Sequence, residues 1–262
     1  MIVERFRDRV AVVTGGGSGI GEATALRLAS EGAAVVIAEI DGTAGERVAA
    51  ELRASGGRAM AIRTDVSDHG QVTAMVRRTV DEMGPPDVLV NNAGINVFAD
   101  PLALSDSDWR RCFAVDLDAA WYGCKAVLPF MLERGSGSIV NVGSVHSFQI
   151  IPHTFPYPVA KHGVVGLTRA LAIEYAPRQV RINCVCPAYV QTQLTRDGWA
   201  ATPDPELARA EAARLHPIQR VGQPSEIAAA IAFLASDDAS FVTGAALMVD
   251  GGMSLILGGH GY

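Results

Sequence analysis

The chain carries little that would take it into a membrane, onto a nucleic acid or through a secretory route. No apolar run among its 262 residues reaches membrane-spanning length, and Met1 to Arg9 is too charged for a signal peptide. Lys and Arg number 22 against 28 Asp and Glu, a net charge of -6, so there is no basic face and nucleic-acid binding is set aside. Cysteines are few. Cys112, Cys124, Cys184 and Cys186 are scattered through expected core elements, and Cys184-x-Cys186 lacks partner ligands at zinc-site spacing. They read as reduced, buried thiols of a cytoplasmic protein, with no metal site and no disulfide. Repeats, low-complexity tracts and linkers are also missing, so one domain over residues 1–262 is expected.

What is present is alternation. Short apolar runs recur between amphipathic helical stretches, at residues 10–13, 34–38, 59–63, 88–90, 138–142, 181–186 and 245–249. Such alternation argues an α/β protein with a doubly wound parallel sheet and helices on both faces. The first run, Val10 to Val13, leads into Thr14-Gly15-Gly16-Gly17-Ser18-Gly19-Ile20-Gly21, and helical spacing follows from Glu22 to Ser30. Strand, glycine turn and helix form the arrangement that holds a dinucleotide pyrophosphate. Glycines let the backbone approach the phosphates, and the helix N-terminus offers free N–H donors and a favourable dipole. The second run ends on Glu39, about 20 residues on, where a carboxylate would hold a ribose 2′-hydroxyl. A carboxylate there accepts from a diol and repels a 2′-phosphate, so the expected cofactor is NAD rather than NADP.

Tyr157 and Lys161 stand four residues apart, able to share one helical face, and Ser144 lies thirteen residues upstream. A tyrosine ionises at about 10, so a base working at neutrality needs about 4 kcal/mol of help. One positive charge about 4 Å away, at an effective dielectric of ~20, supplies about that much.

These segments together resemble the short-chain dehydrogenase/reductase family, over nearly the whole chain from about Arg9 to Ser254. The matching pieces are Thr14 to Gly21, Asp65-Val66, Asn91-Asn92-Ala93-Gly94, Ser144, Tyr157 with Lys161, Cys186-Pro187 leading to Thr192, and Thr243-Gly244 through Val249 to Gly252. The resemblance implies a Rossmann-like sheet of about seven strands and a homotetramer. It also implies roles: Tyr157 as general base or acid, Lys161 depressing its pKa and holding the nicotinamide ribose, and Ser144 on the substrate oxygen. Gly15, Ser18, Gly19, Ile20 and Gly21 would cradle the pyrophosphate, with Asp65 and Val66 near the adenine. Asn92, Ala93, Gly94, Pro187, Val190 and Thr192 would line the rest of the cofactor groove.

Three departures from the family pattern stand out. Asp116 occupies a position where the family commonly has the asparagine of a proton relay, and an ionised aspartate accepts but does not donate. Pro156 and Pro158 flank the tyrosine, which places Tyr157 just before the regular helix. Ala188 replaces a glycine after Pro187, which stiffens that loop. The stretch at 189–217 is expected to form a substrate lid. Asn96, His146, Gln149 and Trp199 are the candidate substrate contacts, and they are polar or aromatic, with no cation among them. A sugar or polyol substrate is therefore expected. The alternatives are a 3-hydroxy acid dehydrogenase or 3-oxoacyl reductase, for which Ser144-x-His146 is the matching feature, and a non-catalytic NAD-sensing module. The tail from Leu255 to Tyr262 is a candidate contact with a neighbouring subunit.

Overall fold

The computed structural model describes residues 4–256. Seven strands run β1 Val10–Thr14, β2 Ala34–Glu39, β3 Ala59–Arg63, β4 Val88–Asn91, β5 Gly137–Val142, β6 Val180–Pro187 and β7 Ala246–Val249. They form one sheet in the order β3-β2-β1-β4-β5-β6-β7, with every neighbouring pair parallel. Each apolar run read from the sequence is one of these strands, with ends shifted by one residue or so.

The strands are apolar without alternation because both faces of the sheet are covered. Successive residues point to opposite faces. Ala11, Val13, Val35, Ile37, Val88 and Val90 face the helices α1 Gly19–Ser30, α2 Gly42–Ala54 and α9 Pro224–Ala235. Val12, Val36, Leu89, Ile139 and Ile182 face α3 His69–Met83, α5 Ala119–Arg134 and α6 Tyr157–Tyr175. Fully burying a valine or larger apolar side chain contributes roughly 1.5–3 kcal/mol. Helix starts are marked by side chains that meet the orphan N–H groups: Asp41 accepts from Thr43 N and Ala44 N, and Asp68 from Gly70 N and Gln71 N.

The chain builds outward from β1 to β3 and then returns to place β4 on the other side of β1. The connections leaving β1 and β4 therefore diverge, opening a crevice at the carboxyl ends of these strands, where ligands bind in open α/β sheets. Two shorter helices, α7 Gln193–Ala200 and α8 Pro205–Arg214, lie between β6 and α9. A further helix, α4 Asp106–Phe113, runs into a π-helical turn at Ala114–Asp118 and then into α5. Most of the tail read as a subunit contact, residues 257–262, is outside the described residues.

Candidate active site

The glycine turn between β1 and α1 closes around itself so tightly that side chains are excluded. A Cβ on Gly21 would stand 2.0 Å from the Gly15 carbonyl oxygen, and Gly15 and Gly19 have φ of +63° and +56°. Asn92, just past β4, ties the two sides of the crevice: its Nδ2 donates to Thr14 O at 2.9 Å and Gly15 O at 3.1 Å. Thr14 Oγ1 in turn accepts from Asn92 N and Ala93 N at 3.0 and 3.1 Å. Glu39 folds back over the turn. One carboxylate oxygen accepts from Gly17 N at 3.0 Å and the other from Ile40 N at 2.9 Å. Gly17 leaves room for it to do so, since a Cβ there would lie 2.8 Å from Glu39 Cγ. This backbone-lined cradle at a helix N-terminus, closed by a carboxylate, fits the pyrophosphate and ribose of a dinucleotide. Asp65 holds its own turn, accepting from Ser67 N and Oγ, and Val66 is buried beside it. Thr192 caps α7 and lies against Gly19, while Val190 is buried and Pro187 ends β6.

Below the cradle the sequence-derived trio comes together. Tyr157 is the first residue of α6 and not a residue ahead of it, with Pro158 in the first turn, where a missing N–H breaks no helical bond. Lys161 is thus one turn on, and its Nζ lies 5.3 Å from the Tyr157 ring centroid. The ammonium donates to Val142 O at 3.3 Å and meets Asp116 Oδ1, also at 3.3 Å. Ser144 follows β5 and caps a short turn: its Oγ accepts from His146 N at 3.2 Å, while its N–H donates to Ser147 Oγ. Ser147 Oγ then donates to Lys161 O at 2.8 Å, which joins the serine loop to the tyrosine helix. Beneath that loop, Cys184 and Cys186 bring their sulfurs to 3.7 Å as free, buried thiols.

Lys161 acts on the phenol in the direction expected, and other groups outweigh it. The Tyr157 phenol lies above the ordinary tyrosine range, not below it. Burial pushes it up, the Lys161 charge pulls it down, Asp116 pushes it up again, and the Ser144 hydroxyl lowers it. Burial alone would lower Lys161, yet the charges of Tyr157 and Asp116 hold it above its usual value. Asp116 is raised by burial against the pull of Lys161.

The candidate substrate contacts are not all gathered. His146 is buried, stands edge-on to Tyr157 at 5.8 Å between ring centroids, and leaves its Nδ1 without a partner. Burial pushes its imidazole below the usual range, so it is uncharged at neutrality. Asn96 and Gln149 are exposed, and the Gln149 amide donates to Ser254 O near the end of the described chain. Trp199 is half-buried on α7. Two residues were missed from sequence. Phe98 stands edge-on to Tyr157 at 5.8 Å, a second aromatic neighbour of the phenol, and a loop phenylalanine carries no periodic signal. Arg47 on α2 donates to Gly17 O at 2.9 Å and to Glu22, bringing a cation to the cradle from a helix whose spacing shows only amphipathicity.

A dinucleotide cradle at the point where strand order reverses, above a half-buried tyrosine and a buried lysine and serine, defines an oxidoreductase of the nicotinamide-dependent kind. A family model described as enoyl-(acyl carrier protein) reductase matches residues 15–254. The chain belongs to the short-chain dehydrogenase/reductase family. It is 42% identical to a cyclohexanol dehydrogenase of Acinetobacter sp. (strain SE19), over 94% of this chain and 95% of that one. Identity to a meso-2,3-butanediol dehydrogenase of Serratia marcescens is 44%, over 95% of each chain. Among solved structures, ligand-free aldohexose dehydrogenase of Thermoplasma acidophilum superposes with a TM-score of 0.89 at 38% identity, covering 98% of both chains.

Proposed function

We propose that the protein is an NAD-dependent oxidoreductase that interconverts a secondary alcohol and a ketone, or a sugar lactol and its lactone, on a sugar or polyol. The observation that carries this reading is the meeting of Tyr157, Lys161 and Ser144 beneath a glycine cradle closed by Glu39. The activities for which these relatives are named, on a cyclic alcohol, a diol and an aldohexose, support an uncharged hydroxylated substrate. So does the neutral imidazole of His146 beside the phenol. A substrate carboxylate buried without a cation would be costly.

Bound in the cradle, a nicotinamide dinucleotide supplies the acceptor or donor of hydride at the carbinol carbon. The chain does the rest. Ser144 Oγ, already accepting from His146 N, keeps its own proton to donate to the substrate oxygen. Tyr157 takes the hydroxyl proton in oxidation and returns it in reduction. Lys161, held by Val142 O and Asp116, keeps a third N–H for the ribose hydroxyls. Glu39 would hold the adenosine 2′-hydroxyl, Asp65 and Val66 would flank the adenine, and Asn92 to Gly94, Pro187, Val190 and Thr192 would line the groove. Residues 189–217 cover the substrate as a lid that carries Trp199, and His146 meets it beside the phenol. Exposed Phe241 and Ile173, and the half-exposed edge strand β7, support assembly into a homotetramer.

The test is NADH absorbance on mixing protein, NAD or NADP, and a panel of sugars, polyols, cyclic alcohols and 3-hydroxy acids. The expected result is NADH formation with sugars or polyols and little with NADP. Turnover confined to 3-hydroxy acids would reverse the substrate class. Silence across the panel with NAD binding intact would make the protein a nucleotide sensor.

A further inference from the structure

A cavity of about 120 Å³ lies at the base of the 189–217 stretch, separate from Ser144, Tyr157 and Lys161, none of which lines it. It is bounded by Tyr189 where that stretch begins, by His216 where it ends, by Ile227 of α9 and by Val249 to Gly251 at the end of β7. The two ends of the stretch are tied together beside it. Gly222 N donates to Tyr189 O and Gln191 N to Gly222 O, each at 2.9 Å, and Ile218 N donates to Gly251 O at 3.3 Å. An occupant would touch both ends of the stretch and the sheet at once.

One atom of the wall lacks what its chemistry asks for. His216 is 2% exposed, and its Nδ1 lies 2.7 Å from Ala212 O. A carbonyl only accepts, so Nδ1 carries a proton, and in the uncharged imidazole Nε2 offers a lone pair. That Nε2 is buried with no hydrogen-bond partner among the described residues, whereas buried polar atoms are almost always paired. A Cβ on Gly251 would stand 3.5 Å from His216 Cδ2, the atom bonded to Nε2, so this edge of the ring is turned to the Gly251 wall. The rest of the lining sets the kind of ligand. Ile227 and Val249 are apolar, and the Tyr189 ring stands edge-on to the imidazole at 6.1 Å between centroids. The charged groups are already engaged: Arg220 meets the two oxygens of Glu226 at 2.8 and 2.6 Å, and Asp250 accepts from Gly252 N and Ser254 N. An ion would therefore meet no opposite charge left over among the described residues. A polyol would set its further hydroxyls against Ile227 and Val249, where they find no partner. The volume is many times the ~10–15 Å³ that one water needs, and near the ~150 Å³ of an engineered apolar cavity that takes up benzene.

We propose that this cavity is a binding site for a small monohydric alcohol, whose hydroxyl donates to His216 Nε2 and whose apolar body packs on Ile227 and Val249. The site is distinct from the alcohol–ketone centre and holds whether or not the reading of Tyr157 as acid/base stands.

The test is saturation-transfer NMR with tert-butanol, a tertiary alcohol with no carbinol hydrogen to give up as hydride, read on its single methyl resonance. Wild type should show saturable transfer. In His216→Phe, which keeps a ring and loses the acceptor, the apparent affinity should fall at least about fivefold. His216→Gln, whose amide reaches the place of Nε2, should recover most of it. Should His216→Phe fold poorly, Val249→Phe fills the cavity from β7 with His216 in place and should remove the saturable transfer. tert-Butyl methyl ether, which has no donor, should bind alike in wild type and His216→Phe. Any tert-butanol held at Tyr157 adds equally to every protein, so the differences between proteins isolate this site. Equal tert-butanol affinity in wild type and the Phe variants would mean a cavity that takes water only, and would overturn the proposal. So would a loss in His216→Gln as large as in His216→Phe, or an ether as sensitive to His216 as the alcohol.

Discussion

Removing the charge of Glu39 should collapse the discrimination between NAD and NADP. The carboxylate is half-buried at the rim of the cradle, with one oxygen on Gly17 N at 3.0 Å and the other on Ile40 N at 2.9 Å and Asp41 N at 3.2 Å. Glu39→Gln keeps the shape and an acceptor for Gly17 N, so the turn stays closed while the charge goes. A hydrogen bond from a ribose hydroxyl to a charged acceptor contributes about 1.5–3 kcal/mol, and a neutral one about 1. Repulsion between the carboxylate and a 2′-phosphate at about 4 Å lies between ~1 kcal/mol in water and ~4 at an effective dielectric of ~20. Partial exposure puts the site toward the lower figure. Together the loss for NAD and the relief for NADP come to about 2–3 kcal/mol, a change of roughly 10²-fold in the affinity ratio. Arg47, which bonds Gly17 O at 2.9 Å, is a cation at hand for a 2′-phosphate once the carboxylate is gone. Fluorescence titration of both cofactors against wild type and variant measures the ratio directly. Equal wild-type affinities, or an unchanged ratio in Glu39→Gln, would refute the reasoning.

Gly21→Ala should abolish cofactor binding while the protein still folds or loses only stability, because the added Cβ meets the Gly15 carbonyl oxygen at 2.0 Å and the turn must open; isothermal titration calorimetry decides it. The Arg220–Glu226 pair at the start of α9 should give a pH signature in stability. The Arg220 hydrogen bond, with Gln223 N, holds Glu226 down to about 2, so its contribution is present above the ordinary carboxylate value of about 4.3 and is lost as pH falls from there toward 2. Arg220→Gln should therefore cost a little stability above pH ~5, little because the pair is exposed, and the gap from wild type should close as pH falls toward 2. Urea midpoints followed by circular dichroism across that range measure the gap, and one that widened in acid would contradict the assignment.

The sheet was readable in the sequence because buried parallel strands are apolar along their whole length. Runs such as Val35-Val36-Ile37 need only be located between helical spacings. The glycine turn and Glu39 were readable because steric exclusion and a strand-end carboxylate leave local marks. The Tyr157 pair was readable as spacing, yet its electrostatics were not. The 3.3 Å approach of Asp116 to Lys161 is a contact across 45 residues, made from a π-helical turn that no periodicity announces. Phe98, on a loop, and Gln149, whose amide turns to Ser254, depend likewise on how distant segments meet.

The central claim is that Tyr157 moves the proton while the cradle above it holds the cofactor. Its most direct test is Tyr157→Phe, which removes one oxygen and keeps the ring against Phe98 and His146. The account predicts that steady-state turnover falls by at least about 10²-fold, the lower range for loss of a positioned acid or base, while NAD affinity stays within a few-fold. Undiminished turnover in this variant would contradict it.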